Sequence, residues 1–238
     1  AEEIFGVNDK KQLAEAEKIK RKEAAEKLLQ EGVTLADPTR IDVRGNLVCG
    51  KDVFIDVNVV FEGDVRIAEG ASIGPHSVIT SSTIGRHTKI LSHCNLEHAN
   101  IGDNCLVGPF ARLRPGTELM DSAKAGNFVE IKKSRIGQKS KVSHLSYIGD
   151  AVVGNEVNVG AGTITCNYDG ANKNQTIIED NVFIGSGVEL VAPVAVKEGA
   201  TIGAGSTITK QAPKNKLTLE RAHQKTIPGW KRPKKNTT

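Results

Sequence analysis

Aromatic side chains are scarce in this sequence: six Phe, two Tyr and one Trp make up 4% of 238 residues, and there is one Met. Large aromatic groups fill much of an ordinary globular core, so their scarcity points to a thin interior of small and aliphatic side chains. No run of eighteen apolar residues occurs, which leaves no candidate for a membrane-spanning helix. No basic segment followed by an apolar one opens the chain, so no secretory signal is expected. The four cysteines, Cys49, Cys94, Cys105 and Cys166, lack Cys-x-x-Cys spacing. They read as free thiols, Cys94 and Cys105 buried, and a reducing cytoplasmic location is expected.

What the sequence does contain is a stride. Ile67, Ile73, Ile79, Ile84, Ile90, Leu96, Ile101, Val107, Leu113 and Leu119 follow one another at intervals of six, with slips to five. The series continues through Ile136, Val142, Ile148 and Val159 to Ile208. Two residues before most of these stands a short or β-branched residue, as at Ser82, Thr88, Cys94, Ala99, Cys105 and Ala111. An interval of six fits neither the 3.6-residue helix period nor a long alternating strand. It fits short strands bent at regular corners and stacked coil on coil, an all-β parallel β-helix of hexapeptide repeats.

The flanks differ from the repeats. Residues 1–9 have no partner elements and read as the end of a preceding domain. Residues 10–38 read as a helical linker: the run is rich in Ala, Glu, Lys and Leu, lacks Pro before Pro38, and passes Gly32, with Asn8 or Asp9 as its cap. Its apolar stripe is thin, so an exposed arm is expected. Residues 39–210 hold the repeats and 211–238 a basic tail. Across the last thirty residues nine Lys or Arg face one acid, Glu220, an excess larger than the +4 of the whole chain.

The stride serves as a coordinate system. Three strides make one coil, so residues 17 or 18 apart stack about 4.8 Å apart. With Ile136 on face A, Val142 on face B and Ile148 on face C, face B also holds Val107, Ala125, Val159, Ile184 and Ile202. Two residues beyond Val142, Val159, Ile184 and Ile202 stand His144, Ala161, Ser186 and Ala204, one outward column with a titratable base at its foot. Small side chains there leave a groove for a thin ligand arm. Arg114 and Lys132 fall one coil apart on face C. Stacked cations repel unless an anion sits between them, as in a phosphate clamp; relief by Glu130 or Glu118 is the other reading, and spacing leaves both open. The stride breaks once, with thirteen residues from Thr165 to Ile178. A loop around Asn167–Lys173, with an Asp-Gly turn, must leave the coil close to the column.

At these residues a family becomes visible. GPFARLRPG (108–116), NFVEIKKS (127–134), SHLSYIGDAVVG (143–154), NVGAGTITCNYDGANK (158–173) and GSGVELVAPV (185–194) closely resemble the acetyltransferase domain of bacterial bifunctional N-acetylglucosamine-1-phosphate uridyltransferase/glucosamine-1-phosphate acetyltransferases. The resemblance covers nearly the whole chain. It implies a left-handed β-helix, a homotrimer, and transfer of acetyl from acetyl-CoA to the 2-amine of glucosamine 1-phosphate. That reaction lies on the route to UDP-N-acetylglucosamine for peptidoglycan and lipopolysaccharide. By matching positions the resemblance implies His144 as general base. It implies Arg114, Lys132, Tyr147, Asn158 and Asn167 as sugar-phosphate contacts. It implies Ala161, Asn167, Tyr168, Ser186, Ala204 and Arg221 as acetyl-CoA contacts, the segment around Arg221 departing most from the family. The family's Gly-rich nucleotide loop does not occur in this sequence, so no uridyl transfer is expected. Asn8 matches a ligand of the Mg2+ in that other site; alone it cannot hold a metal, and Mg2+ is expected only for that missing domain.

An ammonium has no lone pair, so attack of the amine on a thioester needs a base, which imidazole supplies near neutral pH. Cys166 has no evident base partner, and direct transfer needs no covalent intermediate. Three competing readings remain from the residues: another hexapeptide acyltransferase with a different amine or hydroxyl acceptor, a zinc hydratase using His87, His93 and His98, and a binding module whose basic tail meets nucleic acid. Neither nucleic-acid binding nor membrane insertion is expected.

Overall fold

The structure, a computed structural model, describes residues 6–232. A helix spans Lys10–Gln30, and the Asp9 carboxylate caps it by accepting the backbone N–H of Gln12 at 2.8 Å. Only Ala25 and Leu28 of this helix are buried, and ion pairs such as Lys22–Glu26 lie along its solvated side. It is the exposed arm that its thin apolar stripe predicts, docked by those two residues onto the first coil.

The inward residues of the stride are buried: Ile73, Leu96, Leu113, Ile131, Ile148 and Ile184 are all at 0% exposure. The short partners are buried too, and where they are polar their hydroxyls are used twice. Ser140 Oγ donates to the Gly154 carbonyl at 2.6 Å and accepts from the Val157 N–H at 2.9 Å. Thr88 does the same toward Gly102 and Cys105. Each strand thus contributes one aliphatic and one small residue, and among the described residues Phe61 is the buried Phe. Cys94 and Cys105 occupy small positions, where desolvation pushes both thiols up to about 11.

Strand pairing is parallel throughout the coil. Val107↔Ala125, Ala125↔Val142, Val142↔Val159, Val159↔Ile184 and Ile184↔Ile202 are register partners, so face B is as counted. That face is an 11-stranded sheet, and faces A and C merge into a 17-stranded one. The coil extends past residues 39–210 at both ends, from Thr34–Leu35 to Leu217–Thr218. The stride fades there for a physical reason. The first coil is covered by the helix instead of another coil, and Leu217 at the last is exposed.

Between faces A and B, carboxylate and amide side chains complete the ladder. Arg86 N–H donates to Asp103 Oδ1 at 2.6 Å, Asp103 N–H to Asp121 Oδ1 at 2.9 Å, and Asn155 N–H to Asp180 Oδ1 at 2.7 Å. Each satisfies a corner N–H that the sheet leaves over.

Thr176 Oγ1 is the buried side-chain polar atom without a partner among the described residues. Thr176→Val removes that hydroxyl at nearly constant shape, so stability should rise by about 1 kcal/mol. Urea unfolding reads this as a higher midpoint at unchanged slope; a lower midpoint would show the hydroxyl to be bonded. Ile131→Ala, at a fully buried position, should instead lose about 2–5 kcal/mol in the same measurement.

Candidate functional site

The corner between faces B and C changes character along the stack. Each coil turns it through one residue in the left-handed backbone region. In the lower coils these are Asn58, His76, His93, Phe110, Phe128 and Leu145, at φ between 50° and 59°. The rings of His76, His93, Phe110 and Phe128 stack with centroids 4.9, 4.8 and 5.3 Å apart. Above them the same position is Gly162, Gly187 and Gly205, at φ 73°, 66° and 69°. Bulky residues adopt this conformation just below, so the backbone does not demand glycine here. A Cβ on Gly187 would find no atom nearer than 4.0 Å, and one on Gly162 none nearer than 3.7 Å. The glycines therefore keep space clear, and the small Ala161, Ser186 and Ala204 precede them.

The counted column is real. Gly162 N–H donates to the His144 carbonyl at 3.4 Å, Gly187 N–H to Ala161 at 2.7 Å and Gly205 N–H to Ser186 at 2.8 Å. His144 stands exposed at the foot of this groove. Its Nδ1 lies 2.5 Å from Asn127 Oδ1, a partner the sequence reading missed although it stands 17 residues earlier, one coil below. Asn158 flanks the groove on face B, in register with Lys141 and Phe183. Arg221 lies at the upper end, its stem over Gly205, where Glu220 N–H donates to Ser206 Oγ at 3.2 Å.

Face C carries the charge cluster. Leu113 and Ile131 are register partners, which stacks Arg114 beside Lys132. Arg114 is not bare: its guanidinium pairs with Glu130 at 2.9 Å. The cation that crowds Lys132 is Lys173, from the expelled loop. Contact with the Lys173 ammonium, with desolvation behind it, holds Lys132 below the ordinary lysine range; Asp150 opposes this and Arg114 adds to it. Three cations thus meet two carboxylates on one face. Tyr147 is in register with Glu130, and its ring lies over Gly149, the register partner of Lys132. Lys173 was not among the residues singled out from the sequence. Its signal was a cation at the end of an insertion beside a cationic column.

The loop braces itself. Tyr168 and Lys173 form an antiparallel bridge, and the exposed Tyr168 donates its hydroxyl to the Gly170 carbonyl at 2.6 Å. Asp169 accepts from the backbone of Asn172 and Ala171 and from the Asn174 side chain, which hold its carboxyl below the usual range. Asn167 is buried, and its amide donates to Asp150 Oδ2 at 2.5 Å, bracing the loop's neck.

Other candidates fall away from this site. Cys166 Sγ lies 3.1 Å from Glu189 Oε2, and desolvation together with that carboxylate pushes its thiol up to about 11, far from a reactive thiolate. Asn8 precedes the helix, with its N–H donated to Gln12 Oε1 at 2.7 Å. Among the described residues no three His, Cys, Asp or Glu gather as metal ligands. His87, His93 and His98 follow strands on faces A, B and C respectively, so they occupy three different corners and do not converge within the chain. Lys234 and Lys235 of the basic tail lie outside the described residues.

Comparisons with known proteins agree with this architecture. The family described as bacterial transferase hexapeptide (six repeats) matches residues 46–81 and 175–210. A protein of Ralstonia pickettii named bifunctional protein GlmU is 58% identical over 233 residues, 98% of this chain and 51% of that protein. Namesakes from Cupriavidus pinatubonensis and Nitrosospira multiformis are each 57% identical over the same shares. The chain spans about half the length of the curated relatives it matches. Among solved structures, an Arabidopsis UDP-N-acetylglucosamine acyltransferase superposes with a TM-score of 0.62 at 17% identity, over 74% of this chain and 68% of that one. The Francisella novicida enzyme of the same name gives 0.54 at 16%, over 77% and 66%. At such identity these structures show the fold alone, the left-handed parallel β-helix of hexapeptide repeats. By sequence, over 98% of its length, the chain corresponds to about half of the proteins named bifunctional protein GlmU.

Proposed function

We propose that this chain transfers acetyl from acetyl-CoA to the 2-amine of glucosamine 1-phosphate, giving N-acetylglucosamine 1-phosphate on the way to UDP-N-acetylglucosamine. The observation that carries this reading is the place of His144: the foot of the groove, where the corner passes from bulky side chains to glycine. A thin arm laid along Gly205, Gly187 and Gly162 ends at that imidazole. The nucleotide end of acetyl-CoA then lies toward Arg221 and the basic tail. Substrate phosphate goes to face C, where a dianion relieves the repulsion between Lys132 and Lys173 and shares Arg114 with Glu130.

The chemistry follows. His144 takes a proton from the substrate ammonium, and the freed lone pair attacks the thioester carbonyl. In this reading the tetrahedral oxyanion is held by the Ser186 hydroxyl and by corner N–H groups other than those of Gly162, Gly187 and Gly205, which are already donated to carbonyls. Its collapse breaks the C–S bond, the imidazolium returns its proton to the departing thiolate, and the nitrogen gives up its second proton to solvent, which leaves a neutral amide, a free thiol and one released proton. A transferase of this repeat class acting on an unphosphorylated amine or hydroxyl is the second reading; the three-cation cluster favours the phosphorylated one. We place the active assembly as a trimer. Phe110, Phe128 and Leu145, at 47%, 54% and 61% exposure, form an apolar ridge that one chain leaves open, the kind of surface a symmetric partner covers. The four free thiols suit a reducing cytoplasm.

Thiol release with glucosamine 1-phosphate against plain glucosamine tests the reading directly. His144→Ala should lower turnover by about 10²–10⁴-fold with both acceptors and change KM little. Arg114→Ala, Lys132→Ala and Lys173→Ala should mainly raise KM for the phosphorylated acceptor and lose little more with glucosamine, a cycle between side chain and ligand group. An Arg114→Ala penalty equal for both acceptors removes Arg114 from the phosphate site.

Gly187→Leu tests the groove. Leu145 already holds the same backbone conformation, so the variant should fold, while KM for acetyl-CoA rises at least about tenfold, ~1.4 kcal/mol. An unchanged KM would mean the arm lies elsewhere. Sedimentation should give a trimer, and an active monomer would remove the assembly proposed above.

A further inference from the structure

A general base needs one ring nitrogen bare and facing its substrate, and a neutral imidazole carries its single proton on either nitrogen. The fold supplies a group that chooses. On face B neighbouring coils pair through two rungs, as in Leu106↔Lys124 with Val107↔Ala125 and in Lys141↔Asn158 with Val142↔Val159. The strands Lys124–Asn127 and Lys141–His144 add a third rung, Asn127↔His144. The coils approach closely here, and a Cβ in place of Gly126 would run into the Ser143 carbonyl oxygen of the next coil. Beyond the rung, Leu145 N–H donates to the Asn127 backbone carbonyl at 3.0 Å. The two backbones are thereby held on both sides of the pair, and the Asn127 side-chain oxygen lies 2.5 Å from His144 Nδ1.

We propose that Asn127 is a positioning residue: its side-chain carbonyl accepts the Nδ1–H of His144 and holds the ring in the tautomer whose Nε2 lone pair is free for the substrate amine. This deepens the acetyl-transfer reading and rests on His144 as its base. A carboxamide suits the task. It is neutral, so it orients the ring without adding a charge that would keep the captured proton on the imidazole after attack. The opposite amide orientation would donate to Nδ1 and leave the ring proton on Nε2, a form unable to accept a proton from the amine. Gly126 belongs to the same rung, where the two coils approach closely.

The test reads the tautomer and the rate separately. In the whole protein labelled with 15N-histidine, two-bond 1H–15N spectra distinguish the forms, and His144→Gln assigns the signals. The wild type should show protonated Nδ1 and bare Nε2 at His144, and Asn127→Ala should lose that preference. Kinetically, Asn127→Ala should lower kcat by about 10- to 100-fold, less than loss of the base itself, with both KM values nearly unchanged. Asn127→Asp keeps an oxygen acceptor at the same place and should recover most of that loss, a rescue that a general loss of stability would not show. A wild-type His144 protonated mainly on Nε2 overturns the proposal, as does an Asn127→Ala variant with unchanged kcat or an Asp variant no better than Ala. The spectra need no turnover. A wild-type protein that releases no thiol would sink the acetyl-transfer reading, while its tautomer would still decide the role of Asn127.

Discussion

Each coil of this chain is held by the coil above and below it through a short parallel backbone ladder, and nearly everything else follows from keeping that ladder in register. A strand of two or three residues has few hydrogen bonds of its own, so stability comes from stacking. The interior must then offer the same cross-section at every level. One aliphatic and one small residue per strand meet that demand, as with Ile136, Ile148 and their partners Ser134 and Ser146, all buried. Where the small residue is polar, its hydroxyl bridges two coils, so hydroxyl groups sit inside at little cost.

The same constraint frees the outside. Because the ladder and the interior fix the path, corner residues vary without changing it. Phe128 and Gly187 turn one corner with nearly the same φ, 54° and 66°. The chain can therefore raise an apolar ridge on the lower coils and cut a bare groove on the upper ones along a single edge. His144 stands at the step between them. Insertions are absorbed equally well. The loop that follows Cys166 leaves and rejoins the stack, with Thr165 and Leu190 still in register across it, and delivers Lys173 to the face that already holds Arg114 and Lys132.

Electrostatics at the site follow from stacking as well. Outward side chains one coil apart sit about 4.8 Å apart, so charges on one face cannot avoid each other. The chain answers repulsion in two ways. Arg114 has Glu130 as a fixed counter-charge, while Lys132 is left against Lys173 and held below its ordinary range. The first arrangement orients a guanidinium. The second keeps a demand for an anion that no side chain fully meets.

The sequence by itself determined the coil, its faces and the membership of the outward column, because a period of six or five carried by inward residues is a local record of a long-range repeat. Counting alone put His144, Ala161, Ser186 and Ala204 on one line, and the family resemblance named their neighbours. It did not show that Arg114 is paired with Glu130, that Lys173 and not Arg114 crowds Lys132, or that Asn167 turns inward to Asp150. Those depend on where flexible side chains and a loop outside the repeat come to rest, and no period records that. Nor did it mark Asn127 as the neighbour of His144, although the count reaches it. The extra rung comes with a close approach of Gly126 to the Ser143 backbone, and such an approach belongs to the stacked coils together, not to either stretch of sequence alone.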